Sequence, residues 1–247
     1  MPSISFQMFS TRNWPVEETF AMLSELGIKE VEGFGPLFEN PAATRALMDQ
    51  YGLSMPTAHF GFDLVESDPA KVIDIANTLG AHTVIVPYLM PDDRPTDRAG
   101  WQAFAARLAE AGKPIVAAGL TYGWHNHDFE FLPTADGCLP IEEIAAASDD
   151  IMFELDLAWI HVAGQDPVDW LNRYKGRVVV AHVKDRAAAG DNADEDGWAD
   201  LGHGVIDYSR IVPALKETGV TRWVLEHDNP SDQQRFASRS FETVSKF

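Results

Sequence analysis

Cysteine is almost missing from this chain. Cys138 stands alone, so no internal disulfide can form, and a reducing compartment, the cytoplasm, is the expected setting. Basic residues are scarce too: 19 Lys and Arg against 38 Asp and Glu leave a formal charge of −19. A chain this acidic repels a phosphodiester backbone, so nucleic acid is not an expected partner. The acidic residues are spread out, and the densest stretch, Asp191 to Asp196, is too short to be a tail. No apolar run reaches the roughly 18 residues that a membrane span needs, so no membrane partner is expected. The opening Met1-Pro2-Ser3-Ile4-Ser5-Phe6 has neither a basic stretch nor a long apolar core, and reads as no targeting signal. Nor does a Gly-rich fingerprint follow the first apolar run, where a dinucleotide-binding sheet would carry one.

Hydrophobic residues, at 45%, suffice for a sizeable core. They fall into short β-type runs alternating with helical patterns. Ile4–Phe9 precedes Pro15–Leu26, where Val16, Phe20 and Leu23 recur at helical spacing between Pro15 and Gly27, ordinary start and stop signals. Lys29–Phe34 and Pro41–Tyr51 form the next pair, then Leu53–Phe60 with Pro69–Leu79, and Thr83–Pro87 with Thr96–Ala111 ending at Gly112. Thr121–His127 pairs with Pro140–Ala147, Ile151–Asp156 with Pro167–Tyr174, Val178–Val183 with Asp207–Thr218, and Trp223–Glu226 with Ser231–Lys246. Eight such units of about 31 residues predict a single α/β domain over residues 1–247, a (β/α)8 TIM barrel. The connection Asp185–Asp207 is unusually long, and loops of that length serve either as functional lids or as plain surface variation.

Strands of a parallel barrel are covered on both faces and should be apolar. Here most end in ionisable residues: Glu32, His59, His125 with His127, Asp156, His182 with Lys184, and Glu226 with Asp228. All fall at the end where barrel enzymes place their chemistry. Residues two apart share a face, so Glu154 points with Asp156, His182 with Lys184, and Glu226 with Asp228. Buried together without compensation these carboxylates would be costly, and a bound cation resolves the electrostatics. Asp156, His182 and Glu226 come from three consecutive strands. Their mixed oxygen and nitrogen donors suit one divalent ion, Mn²⁺ first, with Mg²⁺, Co²⁺ and Zn²⁺ compatible. Singly, a strand-end histidine is usually a satisfied structural group and a rim glutamate a salt-bridge partner; the convergence carries the metal reading.

The segments together resemble the sugar phosphate isomerase/epimerase superfamily, the xylose-isomerase-like barrels, along nearly the whole chain. Gln7-Met8-Phe9-Ser10-Thr11-Arg12 is similar to its first-strand signature, and Trp124-His125-Asn126-His127-Asp128-Phe129-Glu130-Phe131 to its fifth. Phe153-Glu154-Leu155-Asp156-Leu157-Ala158-Trp159 with Ala163-Gly164-Gln165-Asp166-Pro167 resembles strand six. His182-Val183-Lys184-Asp185 with Leu201-Gly202-His203-Gly204-Val205-Ile206-Asp207 resembles strand seven, and Val224-Leu225-Glu226-His227-Asp228 strand eight. The resemblance implies metal ligands from strands five to eight, here His125, Asp156, His182 and Glu226. It also shows a departure, because the family's fifth-strand glutamate is replaced by His125. Glu130, five residues on, is the alternative ligand only if the strand has ended before it.

In the isomerases and epimerases that resemblance brings in, two metal-bound glutamates work on opposite faces of an enediolate. A matched pair is absent here. Members with His-X-His on this strand include inositol-ketone dehydratases and lyases of 3-keto-glycosides, which expel a β-leaving group. The expected substrate is therefore a keto-sugar or keto-inositol, with Glu226 as base, His125 as acid and Lys184 on the carbonyl or a hydroxyl. Lys184 is equally placed for a rim salt bridge. His59, His127, Arg12 and Trp159 are candidate substrate contacts. Trp14, Phe34, Phe60 and Trp124 either stack on a sugar or belong to the core. Only Arg12, Lys184 and Arg186 lie near the mouth and no phosphate cradle accompanies them, so a phosphorylated substrate is not expected. An isomerase or epimerase, a barrel endonuclease disfavoured by the charge, and a non-catalytic sugar-binding barrel are the competing readings. Homo-oligomers are common among such barrels, and no apolar stripe names an interface.

Overall fold

The computed structural model describes residues 2–247. Eight parallel strands close into a barrel: β1 (Ser3–Gln7), β2 (Glu30–Gly33), β3 (Ser54–His59), β4 (Thr83–Val86), β5 (Thr121–His125), β6 (Ile151–Asp156), β7 (Val178–Val183) and β8 (Arg222–Leu225). Each strand pairs with its sequence neighbour, and β8 closes on β1 through Ser3–Phe6 against Arg222–Leu225. Among the described residues ten α-helices wrap it: α1 (Val16–Leu26), α2 (Pro41–Tyr51), α3 (Phe62–Ser67), α4 (Pro69–Leu79), α5 (Arg98–Ala117), α6 (Pro140–Ala147), α7 (Leu157–Val162), α8 (Pro167–Arg173), α9 (Tyr208–Thr218) and α10 (Gln233–Val244). The predicted barrel is what the chain forms.

Local chemistry explains most boundaries. The side chains of Asn40, Asp68, Asp97, Asp166, Asp207 and Asp232 each accept a backbone N–H in the first turn of the helix they precede. Helix α5 is the exception to the reading from sequence. It runs through Gly112 and Pro114 to Ala117 rather than stopping at Ala111. Gly112 is there for packing: a Cβ on it would lie 2.2 Å from the Tyr122 ring of β5. The short helices α3 and α7 follow β3 and β6 directly and carry too few turns to show a period.

Alternation splits the strands into two environments. Outward side chains such as Phe6, Val31, Val84, Tyr122, Phe153, Leu155 and Leu225 pack under the helices in the main hydrophobic core. The other face turns into the bore, which a TIM barrel normally fills with branched apolar residues. Here Ile85, Val180 and Val224 share it with Ser5, Gln7, Glu32, Thr57, His59, His125, Glu154, Asp156 and His182, all buried.

The long connection after β7 is built rather than structureless. Asp185–Arg186 pairs antiparallel with Trp198–Ala199. The Asp185 carboxylate accepts the backbone N–H groups of Arg186, Gly202, Gly204 and Ile206 at 2.8–3.1 Å. Glu195 and Asp200 then tie the segment to Arg235 of α10.

Candidate active site

Strand ends deliver a ring of ionisable groups to one mouth of the barrel, in two layers. In the deeper layer Glu32 Oε1 accepts from Gln7 Nε2 at 2.8 Å, and lies 2.6 Å from His182 Nε2 and 3.1 Å from His59 Nε2. Glu154 Oε2 sits 2.5 Å from His59 Nε2, 3.2 Å from His125 Nδ1 and 3.3 Å from His182 Nε2. Nearer the mouth, His182 turns Nδ1 to Glu226 Oε2 at 2.8 Å, with Asp156 Oδ2 at 3.9 Å. Lys184 Nζ lies 2.7 Å from Asp228, 3.2 Å from Glu226 and 3.4 Å from Asp156. The other oxygen of Asp156 caps α7, accepting from Ala158 and Trp159 N–H.

Burial and neighbours set the charges. Burial opposes ionisation of Glu32, but His59 and His182 overcome it and hold the carboxyl well below its usual range. Burial also opposes the His59 cation, which Glu32 and Glu154 outweigh, raising it to about 10. Burial and the His182 charge push His125 well down, so it stays neutral. Glu226 resists burial through Lys184 and His182 and remains ionised. Burial lifts Asp156 to about 6 against the pull of Lys184.

A cavity of about 370 Å³ opens over this ring. Phe9, Phe34 and Tyr88 form an apolar wall, and His59, His125, His127, Glu226 and Asp228 a polar one. One greasy face and one hydrogen-bonding face are what a sugar ring requires, and the volume takes a monosaccharide.

The same residues fit a metal ion. Ligand atoms of His125, Asp156, His182 and Glu226 lie within 4.8 Å of one another, and so do those of His59, His125, Glu154 and His182. Glu32 Oε2 and Glu154 Oε1 are buried with no hydrogen-bond partner. Orphaned acceptors are costly, and a cation relieves them. Carboxylate and imidazole donors suit the divalent ions named from the sequence.

The structure brings together His125, Asp156, His182, Lys184 and Glu226. His59 and His127 border the cavity, His127 with Nδ1 unpartnered. Burial, with the Lys184 charge adding, pushes His127 down to about 3. Trp159 is half-buried, its ring 5.3 Å from that of His127, and its Nε1 is also unpartnered. Arg12 is exposed at the rim, stacked on Phe9 and bonded to the Asp228 carbonyl. Of the aromatic candidates, Phe34 walls the cavity, whereas Phe60 stacks on Phe38 and Trp124 faces Phe104 in the core. Glu130 does not join the ring, although the strand ends before it. Strand β5 ends at His125, and Glu130 sits buried in a 3-10 turn, accepting from Trp124 Nε1 and His127 N–H at 2.9 Å each. The turn points it under the strand, away from the ring. Gln7 and Tyr88 are not legible in the sequence as site residues. The signal for Glu154 was present in its sharing a face with Asp156.

Residues 20–243 match the model of the xylose isomerase-like TIM barrel family. The chain belongs to that family. Among relatives, an inosose dehydratase of Lacticaseibacillus casei is 26% identical over 179 residues, 66% of this chain and 59% of the relative. This chain thus spans under two thirds of that dehydratase's length. The rhizopine catabolism protein MocC of Rhizobium meliloti is 23% identical over 241 residues, 85% of this chain and 74% of the relative. The barrel superposes on a sugar phosphate isomerase/epimerase of Parabacteroides distasonis with a TM-score of 0.82, at 20% identity and 98% and 93% coverage of the two chains. On the probable 3-DHS dehydratase AsbF of Bacillus anthracis it superposes with a TM-score of 0.77, at 13% identity and 98% coverage of each. Within the family's barrel, then, the inner ring of this chain is the place to look for chemistry.

Proposed function

We propose that this chain is a divalent-metal-dependent enzyme that removes the proton α to the carbonyl of a keto-sugar or keto-inositol and expels a β-leaving group. The observation that carries the reading is the cavity with Glu226 ionised on its polar wall, above a buried carboxylate–imidazole cluster whose orphaned atoms ask for a cation. Similarity to proteins named as dehydratases supports elimination.

The cation would be held by members of the two overlapping quartets that share His125 and His182. When bound, it would supply charge stabilisation for the oxyanion that develops at the ketone as the α-proton leaves. The remaining work belongs to side chains. Glu226 takes the proton, its carboxylate held ionised, well below the usual carboxylate range, by Lys184 and His182 against the opposing effect of burial. His125, held neutral, offers a lone pair rather than a proton, so we assign it to the metal and not to the acid. The β-oxygen leaves as water or the alcohol with the proton that Glu226 has taken, while the His127 ring, with its free Nδ1, hydrogen-bonds that oxygen or a substrate hydroxyl. Phe9, Phe34 and Tyr88 hold the ring's apolar face and keep water from it.

The test is incubation with Mn²⁺ in D₂O and a panel of ketoses, 3-keto-glucosides and keto-inositols, with products read by mass spectrometry. Loss of water or of an aglycone is the expected result, and Glu226→Gln should lower the rate about 10²–10⁴-fold. A product of unchanged composition carrying one deuterium would overturn elimination in favour of isomerisation or epimerisation, with Asp228 beside Glu226 as the second base.

A further inference from the structure

The mouth offers a cation two seats, and they differ in what already occupies them. In the upper seat the carboxylates are taken: the Lys184 ammonium lies 3.4 Å from Asp156 and 3.2 Å from Glu226, and Asp156 Oδ1 is committed to the α7 cap. A second positive charge placed between Asp156 and Glu226 would sit against that ammonium in a medium of low dielectric, where like charges repel strongly. The deeper seat has no lysine or arginine against it. One oxygen of Glu154 stands among three imidazole nitrogens, from His59, His125 and His182. Glu32 closes on His59 and His182 from the other side. Both carboxylates are fully buried and each keeps one oxygen without a partner, Glu154 Oε1 and Glu32 Oε2.

The strand register gives the same direction. His125 stands where the family's fifth strand supplies a glutamate, and its neighbour across the β5–β6 ladder is Glu154. The carboxylate missing from β5 is therefore supplied by β6, and on the deeper side of the ring, two residues before Asp156. His59 and His125 also border the cavity, so a cation in this seat is open to a ketone oxygen.

We infer that the divalent cation of this chain binds in the deeper seat, through His59, His125, Glu154 and His182 with Glu32 beside them, while Lys184 takes the cation's place between Asp156, Glu226 and Asp228. The inference rests on the metal-dependent reading above and refines it. Glu226 stays free of metal to act as the base.

The experiment is a Co²⁺ titration of the chelator-stripped full chain, following the visible d–d absorption and the dissociation constant, with melting curves to verify folding. Wild type should bind one Co²⁺. Glu154→Gln and His59→Ala should each weaken binding beyond the roughly 10–100-fold that an outer-shell loss costs and alter the spectrum. Asp156→Asn should keep the wild-type spectrum and lose no more affinity than that outer-shell cost. Loss of binding in Asp156→Asn, alone or together with the other two, would overturn the deeper seat while leaving metal dependence standing. Failure of the wild-type chain to bind Co²⁺ or Mn²⁺ at all would sink metal dependence itself, and the seat with it.

Discussion

Lys184 has 1% of its surface exposed, and its ammonium lies 4.2 Å over the Trp198 ring as well as against three carboxylates. Burial works against its charge, and Asp156, Asp228 and Glu226 outweigh that, raising it above the usual lysine range. The buried charge and its partners therefore stand or fall together. Lys184→Met keeps the length and the apolar stem but strips Asp156 and Glu226 of compensation. Unfolding by urea in EDTA should show a loss of about 3–5 kcal/mol, as for other buried pairs broken on one side. A loss below about 1 kcal/mol would mean that the carboxylates take up protons instead and that the lysine is dispensable to the fold. Glu226→Gln removes both the proposed base and one of the charges that hold Lys184 and His182, so rate and stability should fall together.

Between elements, the connection after β7 is held to α10 by charge. Burial disfavours the Glu195 carboxylate, but the Ser231 hydroxyl and N–H and the Arg235 guanidinium prevail and bring it down to about 2. With the folded value depressed from the ordinary 4.5, the contribution is fully present above about pH 4.5 and is lost as pH falls towards 2. Melting curves of wild type and Glu195→Gln should thus differ most near neutral pH, by about 1–3 kcal/mol for a charged hydrogen-bonded group. The gap should narrow below pH 4.5; a gap independent of pH would show that the contact acts through packing alone. Within this segment Gly204 has no room for a side chain, since a Cβ would lie 2.2 Å from the Arg186 carbonyl oxygen. The four backbone N–H groups gathered by Asp185 depend on that close approach. The sequence shows such a loop only as length.

For the whole molecule the governing quantity is the charge of −19. Scattered over one barrel, it destabilises the compact state by self-repulsion, and added salt screens it once the Debye length falls below the spacing of surface charges. Raising NaCl from about 10 mM to about 0.5 M should therefore raise the melting temperature, a shift that scanning calorimetry reads directly. A flat or falling response would mean that surface ion pairs such as Arg107–Glu66 and Arg173–Glu142 dominate over the net repulsion. No helix among the described residues is long and apolar enough to cross a membrane.

The sequence by itself determined the order and kind of the elements, because period, caps and turn residues act within a few positions. Asn40 or Asp68 starts a helix whatever lies across the barrel, and strand-end residues such as Asp156, His182 and Glu226 are legible as a set once eight strand–helix units are counted. Short helices carry too few turns to show a period. The run of α5 through Gly112 and the hairpin after β7 were not legible because they depend on packing against Tyr122 of β5 and on ion pairs to α10. The same holds within the site. A register shift in the β6–β7 ladder sets Glu154 opposite Val180 and Asp156 opposite His182. Closure of the barrel brings Glu32 to within hydrogen-bonding distance of His182, 150 residues on. Only tertiary structure could decide that Glu130 turns under β5, that Lys184 is buried against Asp156, and that Glu154 meets three imidazoles. Alternation tells which face a side chain takes, while its depth in the bore and its partners across it depend on stagger and closure.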